Sequence, residues 1–246
     1  MAMEVGQEPT GAAVQRPSPW LTEARGFVRA VQRASAQDRG VRAALRSGLG
    51  KGLDDVPRMH RVVAPLLPPS VMNDDDALRA FYTIAALIAA YPHATQPLDE
   101  EATASQSSAA ATADGPETAE AHEPAATAKQ RQELYGDSLG IAFALAVARG
   151  PREGIREGGA ETRLNQLTRQ STAGLHRHLP AAVRQLCSRN APPDWARLLV
   201  DLRAWPRDRR RTGRRWLQDF YRTRHRSDLD AARQFDDNTP VTEAAT

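Results

Sequence analysis

The 246-residue sequence is poor in cysteine and aromatic residues, and each shortage excludes a class of protein. Cys187 is the single cysteine, which excludes an intramolecular disulfide and a multi-cysteine metal site. Aromatic residues make up 5% of the chain, and abundant Ala, Leu and Arg favour helices over strands. No apolar run approaches the roughly 18 residues of a membrane span, and the N-terminal residues lack a signal-peptide pattern. We therefore expect a cytoplasmic protein that does not enter a membrane.

Common catalytic motifs are also absent. The sequence contains no GxxxxGK(S/T), HExxH or GxSxG motif and no dinucleotide-binding fingerprint. His176 and His178 are two positions apart, which places them about 200° apart around a helix and excludes a shared metal face. The acidic run at residues 74–76 favours helix capping over magnesium binding. These observations predict a non-catalytic protein with no cofactor and no metal.

Helical periodicity predicts an all-α fold of two helical bundles joined by a long flexible linker. The predicted N-caps are Ser18 before Pro19, Asp38, the run at residues 73–76 and Asp194. Among the residues at buried spacing are Trp20, Leu145, Trp216 and Tyr221. The predicted helices cover residues 18–35, 38–52, 59–66, 74–88, 134–147, 160–169, 174–188, 194–205 and 206–226, with a glycine-rich loop at 150–159.

The predicted linker is residues 93–128. This segment has no Lys, no Arg and one large aliphatic side chain, Leu98, so it cannot bury enough apolar area to offset the entropy of ordering it. The predicted organisation is a disordered N-terminus (1–17), an N-terminal bundle (18–92), the acidic linker (93–128), a C-terminal bundle (129–226) and an acidic tail (227–246).

Charge is segregated along the chain, although the net charge is only +3. Residues 149–226 contain 19 basic and 7 acidic residues, a net charge of +12, whereas residues 97–148 carry −7 and residues 227–246 carry −4. Of the 33 basic residues, 31 are arginine, which suits bidentate phosphate contacts but also follows from a compositional bias. Because composition does not explain the clustering, the segregation indicates a polyanion-binding site.

The strongest candidate site is a ridge of arginines on the last predicted helix. Its apolar face carries Trp216 and Phe220, so the arginines are expected on the opposite, outer face, where each can neutralise a phosphate. The alternative is a solvated helix whose arginines pair with Asp208 and Asp219. The ridge comprises Arg207, Arg209, Arg210, Arg211, Arg214, Arg215, Arg222, Arg224 and Arg226, and a second basic helix carries Arg39, Arg42 and Arg46.

Several ordered strings resemble the CasB family, the small subunits of the type I-E CRISPR surveillance complex, Cascade. These are AQDRGVRAALRSG, DDDALRAFYTIAALIAAYP, DSLGIAFALAVARG, ETRLNQLTRQ, LPAAVRQLCSRNAP and PPDWARLLVDLRAWPRDRRRTGRRWLQDFYR. The pair WARLLxDLxxW and RRWLQDFYR is the most specific part, and the long acidic segment at 93–128 departs from the family pattern.

The resemblance implies an all-helical, non-catalytic subunit that is present in two copies per Cascade complex and packs along the backbone formed by the crRNA-bound subunits. It implies contacts to the crRNA–target DNA hybrid and the displaced DNA strand that stabilise an R-loop. The resemblance carries the family's basic surface over to five residues within the matching strings: Arg42, Arg163, Arg169, Arg210 and Arg211. Two alternatives stay open: a structural subunit whose arginines form inter-subunit ion pairs, and a helical transcription regulator.

Overall fold

The computed structural model describes residues 18–92 and 134–237, with side chains described to residue 235. All regular secondary structure in these residues is helical, which confirms the predicted all-α class. The predicted disordered N-terminus, the predicted linker and residues 238–246 of the predicted tail lie outside the described residues. The helices are α1 (Pro19–Gln37), α2 (Arg39–Arg46), α3 (Pro57–Val63), α4 (Asp75–Ala90), α5 (Leu139–Ala148), α6 (Gly150–Glu153), α7 (Glu157–Thr168), α8 (Thr172–Cys187) and α9 (Trp195–Asp237), with 3₁₀ turns at Ala64–Leu66 and Pro69–Val71.

Aspartates cap three helices at the predicted places, whereas the predicted cap Ser18 makes no side-chain hydrogen bond at the start of α1. Asp38 accepts a hydrogen bond from the backbone N–H two residues ahead at 2.6 Å, before α2. Asp74, before α4, accepts a hydrogen bond from the backbone N–H three residues ahead at 3.0 Å. Asp194, before α9, accepts the equivalent hydrogen bond at 2.9 Å. Each carboxylate satisfies an N–H group that a helix start leaves without an intrahelical partner.

The last helix, α9, is interrupted at Asp208, whose φ of −124° and ψ of 28° are not helical. We call residues 195–207 the first arm and residues 209–237 the second arm. Pro206 lies two residues before the break. Because proline lacks an N–H and its ring clashes with the carbonyl four residues earlier, it weakens the helix at this point.

The two arms of α9 fold back against each other. Asp201 in the first arm accepts hydrogen bonds from Arg215 Nη2 at 2.5 Å and Trp216 Nε1 at 2.6 Å in the second arm. Fourteen residues separate Asp201 from Arg215, and a straight helix would place them about 21 Å apart. The indole rings of Trp205 and Trp216 also lie 5.1 Å apart. The chain therefore reverses direction at Asp208.

Helices from before and after residues 93–133 share one core. The arms of α9 contact α1 and α4 from the first part and α5 and α7 from the second, and buried residues of both parts form one cluster. Phe27 of α1 and Phe81 of α4 pack edge to face at 4.7 Å, while Gly140 of α5 lets the backbone of Trp216 approach closely. The division into two bundles at residues 93–128 stays a prediction, and the described helices of the two parts are in contact.

Three residues predicted to be buried lie at the surface. Trp20, at the start of α1, is 47% exposed, Leu145 of α5 is 47% exposed and Tyr221 of α9 is 48% exposed. Because α5 is apolar on every side, periodicity could not indicate which of its faces turns outward. The Tyr221 hydroxyl reaches the Glu161 carboxylate of α7 at the edge of the core.

Several element bounds also differ from the prediction. Helix α5 begins at Leu139 rather than residue 134, because Gly136 has a φ of +67° and Ser138 caps the new start. The predicted loop at 150–159 contains α6 and the beginning of α7. Helix α9 continues to Asp237, past residue 226, where its end was predicted.

Candidate nucleic-acid interface

The fold-back of α9 gathers five exposed arginines around the break at Asp208. We call Arg207, Arg209, Arg210, Arg211 and Arg214 the apex cluster. The other face of this turn is buried, with Thr212 at 2% and Trp216 at 0% exposure. Burial of that face turns the arginines outward, as the sequence predicts. Residues 207–214 contain five arginines and one aspartate, a net charge of +4 within eight residues.

Most of the apex cluster has no ionic partner among the described residues. Arg207 forms one ion pair, with Asp74 at 3.3 Å, and its side chain remains 71% exposed. The other four arginines form no ion pair within 4.0 Å in the part of the chain that the structure describes. The alternative pairing of the ridge with Asp208 and Asp219 is also not found there, and Asp219 instead accepts a hydrogen bond from Ser138 Oγ at 2.6 Å.

Arg215 differs from its neighbours because it turns inward. Its guanidinium bonds to Asp201, which is fully buried, and the Arg215 side chain is only 35% exposed. Burial lowers the pKa of Arg215, and Asp201 opposes that change. Complete burial likewise raises the pKa of Asp201, against the lowering effects of Arg197 and Arg215. Arg215 thus joins the two arms, although it stands beside Arg214 in the sequence.

Arg169 lies beside the apex cluster. The preceding residue, Thr168, packs against Gly213 of the second arm, and the carbonyl of the following residue, Gln170, accepts a hydrogen bond from Trp205 Nε1 at 3.4 Å. The exposed Arg169 side chain therefore extends the basic surface formed by the apex. Arg163, further along α7, is half-buried and donates to Gln166 Oε1 at 3.2 Å.

The arginines of α2 form a separate basic surface. Arg39 and Arg46 are exposed, while Arg42 is half-buried and donates from Nε to the Ser35 carbonyl at 3.0 Å. The apex lies near the opposite end of α1, where Glu23 contacts the first arm of α9. The length of α1 from Glu23 to its end is about 21 Å. The structure therefore does not bring the α2 arginines to the apex cluster.

One contact near the apex has no local signal in the sequence. The Arg203 guanidinium carbon lies 3.7 Å from the centre of the Trp20 ring. Arg203 also bonds to Glu23 at 3.2 Å, across a separation of 180 residues. Helical spacing predicts which face of one helix is apolar, but it cannot pair residues of two distant helices.

Two titratable groups outside the basic surface, Cys187 and His176, have strongly shifted pKa values because they are buried. Burial raises the pKa of Cys187 to about 12, which keeps the thiol protonated and unreactive. Burial and Arg79 lower the pKa of His176 to about 4, and Thr83 Oγ1 lies 2.8 Å from its Nδ1. No group of three His, Cys, Asp or Glu residues within 18–92 and 134–235 is placed to hold a metal ion. No described helix is long and apolar enough to span a bilayer.

Comparisons with known proteins agree on one family. The sequence pattern of "CRISPR-associated protein Cse2" matches residues 41–221. A chain of a "CRISPR RNA-guided surveillance complex" is 31% identical with a TM-score of 0.62, over 86% of this chain and 99% of that chain. A chain of a "CRISPR RNA-guided surveillance complex, pre-nicking" is 31% identical with a TM-score of 0.61, over 86% and 98%. CasB from M. ruber has the same fold, at 21% identity and a TM-score of 0.56 over 85% and 98%. The comparison with curated proteins found no match.

Proposed function

This chain belongs to the CRISPR-associated Cse2 family, and we propose that it is a non-catalytic small subunit of an RNA-guided DNA surveillance complex. In this proposal its arginines bind nucleic-acid backbone without sequence preference and stabilise an R-loop during antiviral defence. Its proposed partners are the other Cascade subunits, a second copy of itself, the crRNA–target DNA hybrid and the displaced strand, all in the cytoplasm. The family membership and the similarity to chains of CRISPR RNA-guided surveillance complexes support this assignment.

The observation that carries the DNA-binding part of the proposal is the apex cluster. Exposed arginines without intramolecular partners gain free energy when they replace the counterions of a phosphate backbone. Arg209, Arg210 and Arg211 are exposed and follow one another at the break in α9. A continuous α-helix would distribute three consecutive side chains around its axis, but the fold-back leaves all three at its outer end.

The chemistry of an RNA-guided complex fits a surface of this kind. Base pairing between guide and target supplies the sequence information, so a protein subunit needs only to recognise backbone and shape. Arginine is suited to this task because its planar guanidinium can form two parallel hydrogen bonds with one phosphate. The apex cluster therefore favours affinity that depends on salt and not on base sequence.

The proposal is tested with the double variant Arg210→Ala/Arg211→Ala in the full chain. Affinity for single-stranded DNA is measured by fluorescence anisotropy over a series of salt concentrations. The slope of log affinity against log salt should fall in magnitude by about 0.7 for each phosphate that is no longer neutralised, equally for different sequences. The melting temperature should stay unchanged, because both side chains are exposed and neither forms an intramolecular ion pair within the described residues.

The matched control is Arg222→Ala/Arg226→Ala, which removes the same charge from exposed positions in the second arm. Arg222 is eleven residues beyond Arg211, about 16 Å along the helix, so its replacement should change the slope less. Equal changes in both variants would mean that binding is spread over the helix and is not centred on the apex. A double Arg210/Arg211 variant that melts early but keeps its slope would show a structural role instead.

A structural role in protein docking is the second candidate function. The unpaired arginines of the apex cluster are equally available to acidic side chains of a neighbouring subunit. The salt titration separates the two functions, because a purely structural subunit would not bind single-stranded DNA even at low salt.

A further inference from the structure

Trp20 is the one tryptophan in the sequence whose side chain lies at the surface. Its exposure is 47%, whereas Trp195 is 4% exposed and Trp205 and Trp216 are fully buried. A large aromatic ring at a surface forgoes the free energy of burial, and a ring placed beside a basic cluster is a common element of single-strand binding surfaces.

One face of the Trp20 ring is already covered. The Arg203 guanidinium stacks on it, 3.7 Å from the ring centre. Glu23 holds that guanidinium by an ion pair at 3.2 Å, and the Arg203 side chain is only 18% exposed. Glu23 also accepts a hydrogen bond from Ser70 Oγ at 3.4 Å. The covered face is thus fixed by a chain of contacts, and the exposure of Trp20 comes from the rest of its ring.

The stacked pair lies on the same arm of α9 as the beginning of the apex cluster. Arg207 is one helical turn beyond Arg203 and lies on the same face of the first arm. Arg207 is about 6 Å along the helix axis from Arg203, and the rest of the apex cluster follows directly after it in the sequence. A strand that binds the apex through its phosphates can therefore bring a neighbouring base to Trp20.

Charge near Trp20 is close to balanced, unlike charge at the apex. Arg203, whose guanidinium stacks on the ring, pairs with Glu23. The Glu23 carboxylate disfavours a phosphate directly over the ring, but an uncharged base is not repelled. The geometry thus separates a neutral aromatic surface from a cationic surface, which matches the separation of base and phosphate in a nucleotide.

We propose that the open face of Trp20 is a stacking site for one unpaired nucleobase of the strand whose phosphates contact the apex cluster. This inference rests on the proposed function and adds a base contact to it. Every nucleobase has an aromatic face, so the contact is tolerant of sequence. Arg203 supports it by holding the indole from the opposite face through a cation–π contact.

The test compares two single strands of equal length and equal phosphate number, one of deoxythymidine and one with abasic sites throughout. The full chain and its Trp20→Leu variant are titrated with both strands at one low salt concentration. Trp20→Leu should weaken binding of the deoxythymidine strand about 5- to 150-fold and leave binding of the abasic strand unchanged. Trp20→Phe keeps an aromatic face and should restore most of the affinity.

Tryptophan fluorescence gives a second readout. Because the other three tryptophans are buried, quenching on addition of the deoxythymidine strand should come from Trp20 and disappear in Trp20→Phe. The matched control is Tyr135→Leu, since Tyr135 is 53% exposed and its carbonyl accepts a hydrogen bond from Arg197 at the other end of the first arm. That variant should bind both strands as the unmodified chain does.

Each result decides the proposal. Equal loss of affinity for both strands in Trp20→Leu would overturn stacking, as would no loss for either strand. Normal DNA binding combined with failure of Trp20→Leu to join the surveillance complex would assign the ring to a protein interface and also overturn it. Absence of binding by the unmodified chain to either strand would refute the proposed function itself, a result distinct from the loss of stacking alone.

Discussion

Replacement of Asp201 with alanine is expected to destabilise the fold more than replacement of any exposed acidic residue. The Asp201 side chain is completely buried and accepts bonds from Arg197 Nε at 2.9 Å, Arg215 Nη2 at 2.5 Å and Trp216 Nε1 at 2.6 Å. Arg197 lies on the same arm of α9 as Asp201, whereas Arg215 and Trp216 lie on the other. This carboxylate therefore joins the two arms at the fold-back.

The magnitude follows from the groups that Asp201→Ala leaves without a partner. Loss of one member of a buried ion pair costs about 3 to 5 kcal/mol, and a buried N–H left unsatisfied costs about 1 to 3 kcal/mol. Arg215 is 35% exposed and can turn partly to water, so we expect a value near the lower limit, about 3 to 4 kcal/mol. Asp201→Asn retains an acceptor oxygen and should cost less.

Urea denaturation followed by circular dichroism measures this loss as a change in the free energy of unfolding. The control is Asp228→Ala, because Asp228 pairs with Arg224 on the same helix at 2.7 Å but is 61% exposed; it should cost less than about 1 kcal/mol. A double-mutant cycle of Asp201→Ala with Trp216→Phe isolates the contact between the arms. If Asp201→Ala costs no more than Asp228→Ala, this carboxylate does not hold the fold-back.

Two further predictions concern buried positions away from the apex. The pKa of His176 is about 4 in the folded protein and about 6.5 in the unfolded chain. The neutral imidazole therefore stabilises the fold fully above pH 6.5, and roughly 3 kcal/mol of the free energy of unfolding is lost as the pH falls from 6.5 to 4. Urea unfolding at several pH values should show this dependence, and His176→Gln but not His178→Gln should remove it. Gly140→Ala would place a methyl group against the backbone carbonyl oxygen of Trp216 in the second arm, closer than van der Waals contact allows, and should cost about 1 to 3 kcal/mol. Gly158→Ala, which meets nothing within 4 Å, should leave the melting temperature unchanged or slightly higher.

Local features of the fold were predictable because they depend on neighbours within one or two helical turns. The caps at Asp38, Asp74 and Asp194 follow from short polar side chains before helical stretches. The buried stripe of the first arm, which includes Leu198 and Leu202, follows from its spacing. The outward position of the apex arginines follows equally, since the opposite face of the second arm is apolar.

The roles of individual charged and aromatic residues were not predictable in the same way. Arg214 and Arg215 are adjacent in the sequence, yet Arg214 is exposed while Arg215 bonds to the buried Asp201. Trp20 follows the apolar repeat of α1, yet it lies at the surface under the guanidinium of Arg203. In both cases the deciding partner lies on another helix or on the other arm of α9.

Composition and periodicity alone were sufficient for the helical class, the helix starts after Asp38, Asp74 and Asp194, and the location of the densest positive charge, because those properties depend on nearby residues. They could not establish the reversal of α9, which places Asp201 against Arg215 and Trp216. The burial of an aspartate at such a junction becomes favourable only after distant donors surround it, since an unpaired buried carboxylate would be too costly to form. That Arg215 turns inward to this carboxylate, while Arg214 beside it stays exposed, is therefore a property of the packed helices.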